Sequence, residues 1–110
     1  MALVDRPVRG SRSGRPIMVL LDLLGRRWTL RVLWELRAEP LGFRALQARC
    51  DAMSPSVLNQ RLAELAEHRL VQTDESGAYL LAPQGKELLA LFEPVNRWAE
   101  RWAGALREKR

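Results

Sequence analysis

The sequence predicts a mainly α chain with one small β-hairpin, and three observations predict it. Apolar residues recur at helical spacing through most of the chain. Ser54-Pro55 pairs a helix N-cap residue with a proline at the first helical position. Ser76-Gly77 separates two short alternating runs, which is a hairpin signal.

The elements follow in order. Residues 1–15 are rich in Arg, Gly, Pro and Ser, with Arg6, Arg9, Arg12 and Arg15 at every third position. Pro7, Gly10 and Gly14, with Pro16 at its end, argue against a helix there, and the segment reads as a flexible basic arm. A folded domain is expected over residues 16–108. Its first helix has Ile17, Leu20, Leu21 and Leu24 on one face and ends at Gly25. Gly25-Arg26-Arg27 forms a short basic corner. A second helix starts near Trp28-Thr29 and runs to about Arg37, with Leu30, Leu33, Trp34 and Leu36 apolar, before Pro40. A third spans about Phe43 to Cys50, with Phe43, Leu46 and Cys50 inward. Asp51-Ala52-Met53 makes a tight connection into a fourth helix that ends near His68.

The inner stripe of this fourth helix is Leu58, Leu62, Leu65 and Ala66. Short strands are expected at Leu70–Glu75 and Ala78–Ala82. Pro83 to about Arg107 reads as a long helix with a kink or break at Pro94. Helix, turn, helix and a two-stranded wing make the winged helix-turn-helix plan, here with extra helices at both ends.

Composition narrows the function. The chain has 110 residues, 47% of them apolar, which suits one domain with a true core. A single Cys, Cys50, and a single His, His68, exclude a disulfide scaffold and leave a zinc site of Cys/His type without ligands. Cys50 shares a stripe with Phe43 and Leu46 and reads as core. His68 reads as a cap that compensates the helix dipole. The carboxylates are scattered on helix surfaces without a convergent pair, so no catalytic residue, metal or cofactor is expected. The longest apolar run, Ile17 to Leu24, is interrupted by Asp22 and falls short of the roughly 20 residues of a membrane span. Asp5, Arg6 and Arg9 lie where a signal peptide would be apolar, so a cytoplasmic protein is expected.

The net charge is +5, and every basic residue except Lys86 and Lys109 is Arg. Guanidinium forks match phosphates and guanine edges, so double-stranded DNA is the expected partner. GC-rich codon usage is the plainer source of the Arg bias. In a helix-turn-helix the second helix enters the major groove with its N-terminal residues toward the bases. Stepping about 100° per residue from Leu58 puts Ser56, Gln60, Ala63 and Glu67 opposite the core, with Val57 and Asn59 flanking. Ser56, Val57, Asn59 and Gln60 are therefore the candidate base readers: Asn and Gln suit adenine, Ser suits several bases, and Val suits a thymine methyl. Ordinary exposed polar surface is the alternative reading of the three polar ones. Arg27, Arg44 and Ser54 at the helix start are candidate phosphate contacts, and Arg61 either joins them or pairs with an acidic neighbour. Glu64 and Glu67 repel phosphate and confine contacts to the first two turns.

The last helix carries Leu88, Leu91, Phe92, Val95, Trp98, Ala99, Trp102 and Leu106, more apolar surface than a small core covers. A homodimer is expected through Ile17, Leu20, Leu91, Val95, Trp98 and Trp102, and with it a near-palindromic target. Trp28 and Trp34 suit an aromatic core or, with the dimer helices, the lining of a small-molecule effector pocket.

At this point the chain resembles the HxlR-type branch of MarR-like winged-helix transcriptional regulators. The resemblance rests on Leu24-Gly25-Arg26-Arg27-Trp28-Thr29, Leu33 through Leu36, Phe43-x-x-Leu46 and Met53-Ser54-Pro55-x-x-Leu58-x-x-Arg61-Leu62-x-x-Leu65. Leu70-Val71, Tyr79-x-Leu81-x-x-x-Gly85 and Leu91 to Trp98 complete it, over about residues 15–105. It implies a small dimeric repressor or activator that binds operator DNA through the fourth helix and the wing and dimerises through its terminal helices. Arg27 stands in the place of the family's basic residue before Trp. Three departures stand out. Arg15 occupies the place of a sensing Cys found in many members, so that route of thiol sensing is not expected. The wing is short and carries Asp74 and Glu75 where the family is usually basic, so the arm is expected to compensate. Gly42 replaces a common Arg. These departures motivate an alternative, a winged-helix protein-interaction module that has lost DNA binding.

Overall fold

In the computed structural model, which describes residues 3–108, Pro16 stands at the first position of α1 (Pro16–Leu24). The chain continues through α2 (Thr29–Glu35), α3 (Phe43–Arg49), α4 (Pro55–Glu67), β1 (Val71–Thr73), β2 (Tyr79–Leu81) and α5 (Pro83–Glu108). The fold is the winged helix-turn-helix expected, mainly helical with one antiparallel hairpin. Leu33, Leu46, Leu58 and Leu65 from three helices meet in the core with no exposed surface, and Cys50 joins them.

Local signals account for the helix ends. Ser54 caps α4, its Oγ accepting from the Val57 N–H at 3.5 Å. His68 closes the same helix, with Nδ1 2.7 Å from the Glu64 carbonyl oxygen. Asp51 and Ala52 both take left-handed backbone, φ 58° and 56°, to reverse the chain between α3 and α4. Such conformations are costly without glycine, so the surroundings must hold them. Arg31 does so, donating to Asp51 Oδ2 at 3.0 Å and to the Arg49 carbonyl at 2.7 Å. Gln47 braces the other side through the Met53 carbonyl at 2.9 Å.

Five local expectations are corrected. In α1 the inward residues are Val19, Leu23 and Leu24, while Ile17 and Leu21 are exposed. This helix is apolar almost all round, so periodicity alone names no unique face. Ala66 of α4 is exposed rather than inward. The second helix stops at Glu35, two residues short of Arg37. The strands are three residues each, in the register Val71↔Leu81, Gln72↔Leu80 and Thr73↔Tyr79. They stop early because the Asp74 carboxylate accepts from the Ser76 N–H at 2.9 Å and the Ala78 N–H at 3.0 Å, diverting backbone donors from the ladder. Finally, of the kink or break expected at Pro94, the break is absent and α5 runs on through it. The carbonyl left without a donor belongs to Ala90, which is exposed, so water can take the place of the missing N–H.

One element has no local signal. Leu41 pairs with Tyr79, N–H to carbonyl in both directions at 2.9 and 2.8 Å, and adds a third short rung to the wing. Residues 3–15 contain no helix. They close on themselves through the Asp5 N–H to the Gly14 carbonyl at 2.9 Å and a Val8–Ser11 bridge. Arg9 rests 3.4 Å from Asp22 of α1.

Candidate nucleic-acid interface

The outer face of α4 carries Ser56, Asn59, Gln60, Ala63 and Glu67, all exposed. Ser54 is exposed at its start, with Oγ 3.0 Å from that of Ser56. Arg27 in the corner before α2 and Arg44 in the first turn of α3 are exposed, and neither enters an ion pair among the described residues. A helix N-terminus with polar side chains outward can take phosphates at its edge and base edges at its centre.

Three predicted roles change. Val57 is half-buried and packs against the core, so it presents little surface to a groove. Arg61 is turned inward, its Nε donating to the Arg27 carbonyl at 2.9 Å and Nη1 to Glu64 at 2.6 Å. Of the two alternatives weighed for Arg61, the acidic partner is the one the structure contains. Glu64 is not on the outer face either. It lies between Arg61 and Arg26, the latter 3.4 Å away, and Arg26 also reaches Asp22 at 3.2 Å. The carboxylate expected to repel phosphate is thus neutralised, and Glu67 in the last turn is the acid left outward.

Burial alone would raise the Glu64 carboxyl, but the hydrogen bonds and charges of Arg61 and Arg26 outweigh it and hold it below the ordinary value. A depressed folded-state pKa adds stability above the unfolded value, near 4.3, that is lost as pH falls through the folded one. Glu64→Gln, which keeps a neutral acceptor, is expected to cost on the order of 1 kcal/mol at pH 7 and to flatten the acid side of the stability profile. Urea unfolding between pH 7 and pH 3 checks this. An unchanged acid slope would show that the network contributes nothing.

The wing carries no basic residue between Leu70 and Ala82, and Asp74 and Glu75 stand exposed at its tip. The Ser76 hydroxyl, followed by backbone donors, holds the Asp74 carboxyl below its usual value. Cys50 is fully buried, and burial pushes its thiol up, away from the reactive thiolate. Trp28 and Trp34 pack against the core, with the Arg37 guanidinium 3.7 Å over the Trp34 ring. Sequence reasoning missed Arg31 and Arg26. The Arg31–Glu35 pair at i, i+4 is readable along one helix, but Asp51 lies 20 positions away.

A second surface is apolar. Leu91, Val95, Trp98, Trp102 and Leu106 of α5 are each more than half exposed, as are Ile17 and Leu21 of α1. Trp98 and Trp102 stack at 5.6 Å. Leu20, expected in this surface, is half-buried against the core, and Leu21 is outward in its place.

A winged helix-turn-helix presenting a polar, unpaired recognition helix defines a DNA-binding regulator of transcription rather than an enzyme. Comparison with known proteins makes this specific. The model of the HxlR-like helix-turn-helix family matches residues 23–107, and the chain belongs to that family. It is 29% identical over 92 residues to the uncharacterised HTH-type transcriptional regulator MJ0925 of Methanocaldococcus jannaschii, covering 80% of this chain and 86% of that one. It is 28% identical over 87 residues to the HTH-type transcriptional regulator YodB of Bacillus subtilis, covering 74% and 78%. Quinone-bound YodB superposes with a TM-score of 0.71 at 27% identity, over 78% of this chain and 97% of that one. A MarR-family regulator from Enterococcus faecalis shares the fold, with a TM-score of 0.72 at 24% identity over 84% and 90%. Among the described residues, no helix is long and apolar enough to cross a membrane.

Proposed function

We propose that this regulator works in the cytoplasm as a homodimer on a near-palindromic operator, with one α4 in each half-site. Ser56, Asn59 and Gln60 read bases, while Arg27, Arg44 and Ser54 hold phosphates. The observation that carries the reading is the outer face of α4: its first two turns present Ser56, Asn59 and Gln60 to solvent, and Glu64 on its flank is already paired with Arg61 and Arg26. The exposed apolar residues of α1 and α5 support two-fold pairing, which sets two recognition helices on one face of the duplex. The wing contributes little, because its tip is acidic, and the arm of residues 1–15 supplies basic charge in its place. A solved YodB structure holds a quinone. This chain's single Cys is in the core, so we assign it no thiol chemistry. Family membership does not favour the alternative of an interaction module.

The test is fluorescence anisotropy on a duplex enriched from a random pool, beside a scrambled duplex, over a salt series. Tight binding to the first and weak, steeply salt-dependent binding to the second is expected. Gln60→Ala should cost about 1–3 kcal/mol on the enriched duplex and little on the scrambled one. An equal loss on both would reject base reading by Gln60. No binding to either at low salt would return the interaction module.

A further inference from the structure

The corner that carries Arg27 is irregular. Trp28 takes left-handed backbone, φ 76°, at the start of α2, where a bulky L residue is strained. The peptide just before it, between Arg27 and Trp28, offers its carbonyl outward from α2 toward α4. Arg61 takes it, with Nε at 2.9 Å, from 34 positions away in sequence. The same guanidinium grips Glu64 one turn along α4, and Glu64 in turn holds Arg26, the residue before Arg27. One turn of α4 therefore grasps the corner twice, once by backbone and once by side chain. The side chains of Arg61 and Glu64 are 15% and 20% exposed, so their pair is partly shielded from water, while the bond to the Arg27 carbonyl lies at the surface. The Arg27 side chain itself stays exposed.

From this geometry we infer that Arg61 is a positioning residue for DNA binding: it fixes the backbone from which the Arg27 side chain reaches out, relative to the base-reading face of α4, without touching DNA. The inference rests on the DNA-binding reading above. It needs arginine specifically, because a planar fork can serve a carbonyl and a carboxylate at once, whereas a lysine ammonium is a single point of charge. It also explains why a basic residue of the recognition helix points inward. The helix contributes side chains to the bases, the corner contributes the phosphate contact, and Arg61 keeps the two in register.

A double-mutant cycle with salt titration tests it. Wild type, Arg27→Ala, Arg61→Gln and the double variant are titrated by anisotropy on the enriched duplex. Each lost phosphate contact lowers the salt slope by about one, and a homodimer carrying one such loss in each half-site loses about two. Arg27→Ala is expected to lower it by that amount, and Arg61→Gln by the same, with about tenfold weaker binding. The double variant is expected to match Arg27→Ala alone. Arg61→Lys keeps the charge and is expected to behave like Arg61→Gln. A slope that falls further in the double variant, or is kept by Arg61→Lys, would make Arg61 a direct phosphate ligand and overturn the inference. So would an unchanged slope in Arg61→Gln.

Amide exchange without DNA adds a readout that does not depend on the operator. The Thr29 amide, bonded to the Arg26 carbonyl at 3.1 Å, is expected to exchange faster in Arg61→Gln and not in Arg27→Ala. Unchanged exchange overturns the inference even if all variants remain folded by circular dichroism. Wild-type protein that binds no duplex at low salt would instead sink the DNA reading, and the inference with it.

Discussion

In the homodimer proposed above, replacing Trp98 with Asp is expected to leave a monomer at micromolar concentration. Burying one large aromatic contributes about 2–3 kcal/mol, and two-fold symmetry buries it twice, so the change is worth about 4–6 kcal/mol per dimer. That raises the dimer dissociation constant by about three to four orders of magnitude. The fold itself should survive, because Trp98 is 54% exposed in the single chain and stacks on Trp102 of the same helix. Sedimentation over a concentration series reads the mass, and circular dichroism confirms the fold. Specific DNA affinity should fall with it, since a monomer engages one half-site. A wild-type monomer at micromolar concentration, or a Trp98→Asp variant that remains dimeric, would remove this apolar surface as the interface.

The second large effect lies at the foot of the wing. A methyl group added at Gly85 would stand 2.1 Å from the Leu70 carbonyl oxygen, and that oxygen also accepts the Ala82 N–H at 2.9 Å. Helix propensity alone favours Gly85→Ala by about 1 kcal/mol. Steric overlap with backbone opposes it, at about 3 kcal/mol or more once the displaced hydrogen bond is included. Sterics wins because a backbone oxygen has no rotamer to move into. The melting temperature is expected to drop by about 10–20 °C. A rise would show that the approach of α5 to the start of β1 is looser than described.

Both sites show where sequence reading reached and where it stopped. The α5 stripe was visible as too much apolar surface at helical spacing, and Trp98 and Trp102 are outward as that argument requires. Gly85 was visible as a glycine near a helix start, but not as the point where α5 crosses Leu70. In α4, the cap at Ser54-Pro55 and the outward positions of Ser56, Asn59 and Gln60 were legible because a helix repeats its geometry every few residues. Val57 and Arg61 were not, because they lie on the flank between core and solvent. There a rotation of a few tens of degrees decides between groove and interior.

By itself the sequence determined the order of elements, the helix start at Pro55, the hairpin about Ser76-Gly77, the basic character and the outer face of the recognition helix. Each of these rests on interactions among residues within about one helical turn or one hairpin, which travel with the chain wherever it packs. Only the tertiary structure decided which side of α1 faces the core, how Leu41 joins the wing, and that Arg61 and Glu64 belong to the Arg26–Arg27 corner rather than to the surface. The contacts of Leu41, Arg61 and Glu64 reach across 34 to 38 positions. A charged side chain on a helix flank finds its partner only after packing has brought the other element within reach, and no local pattern records that meeting.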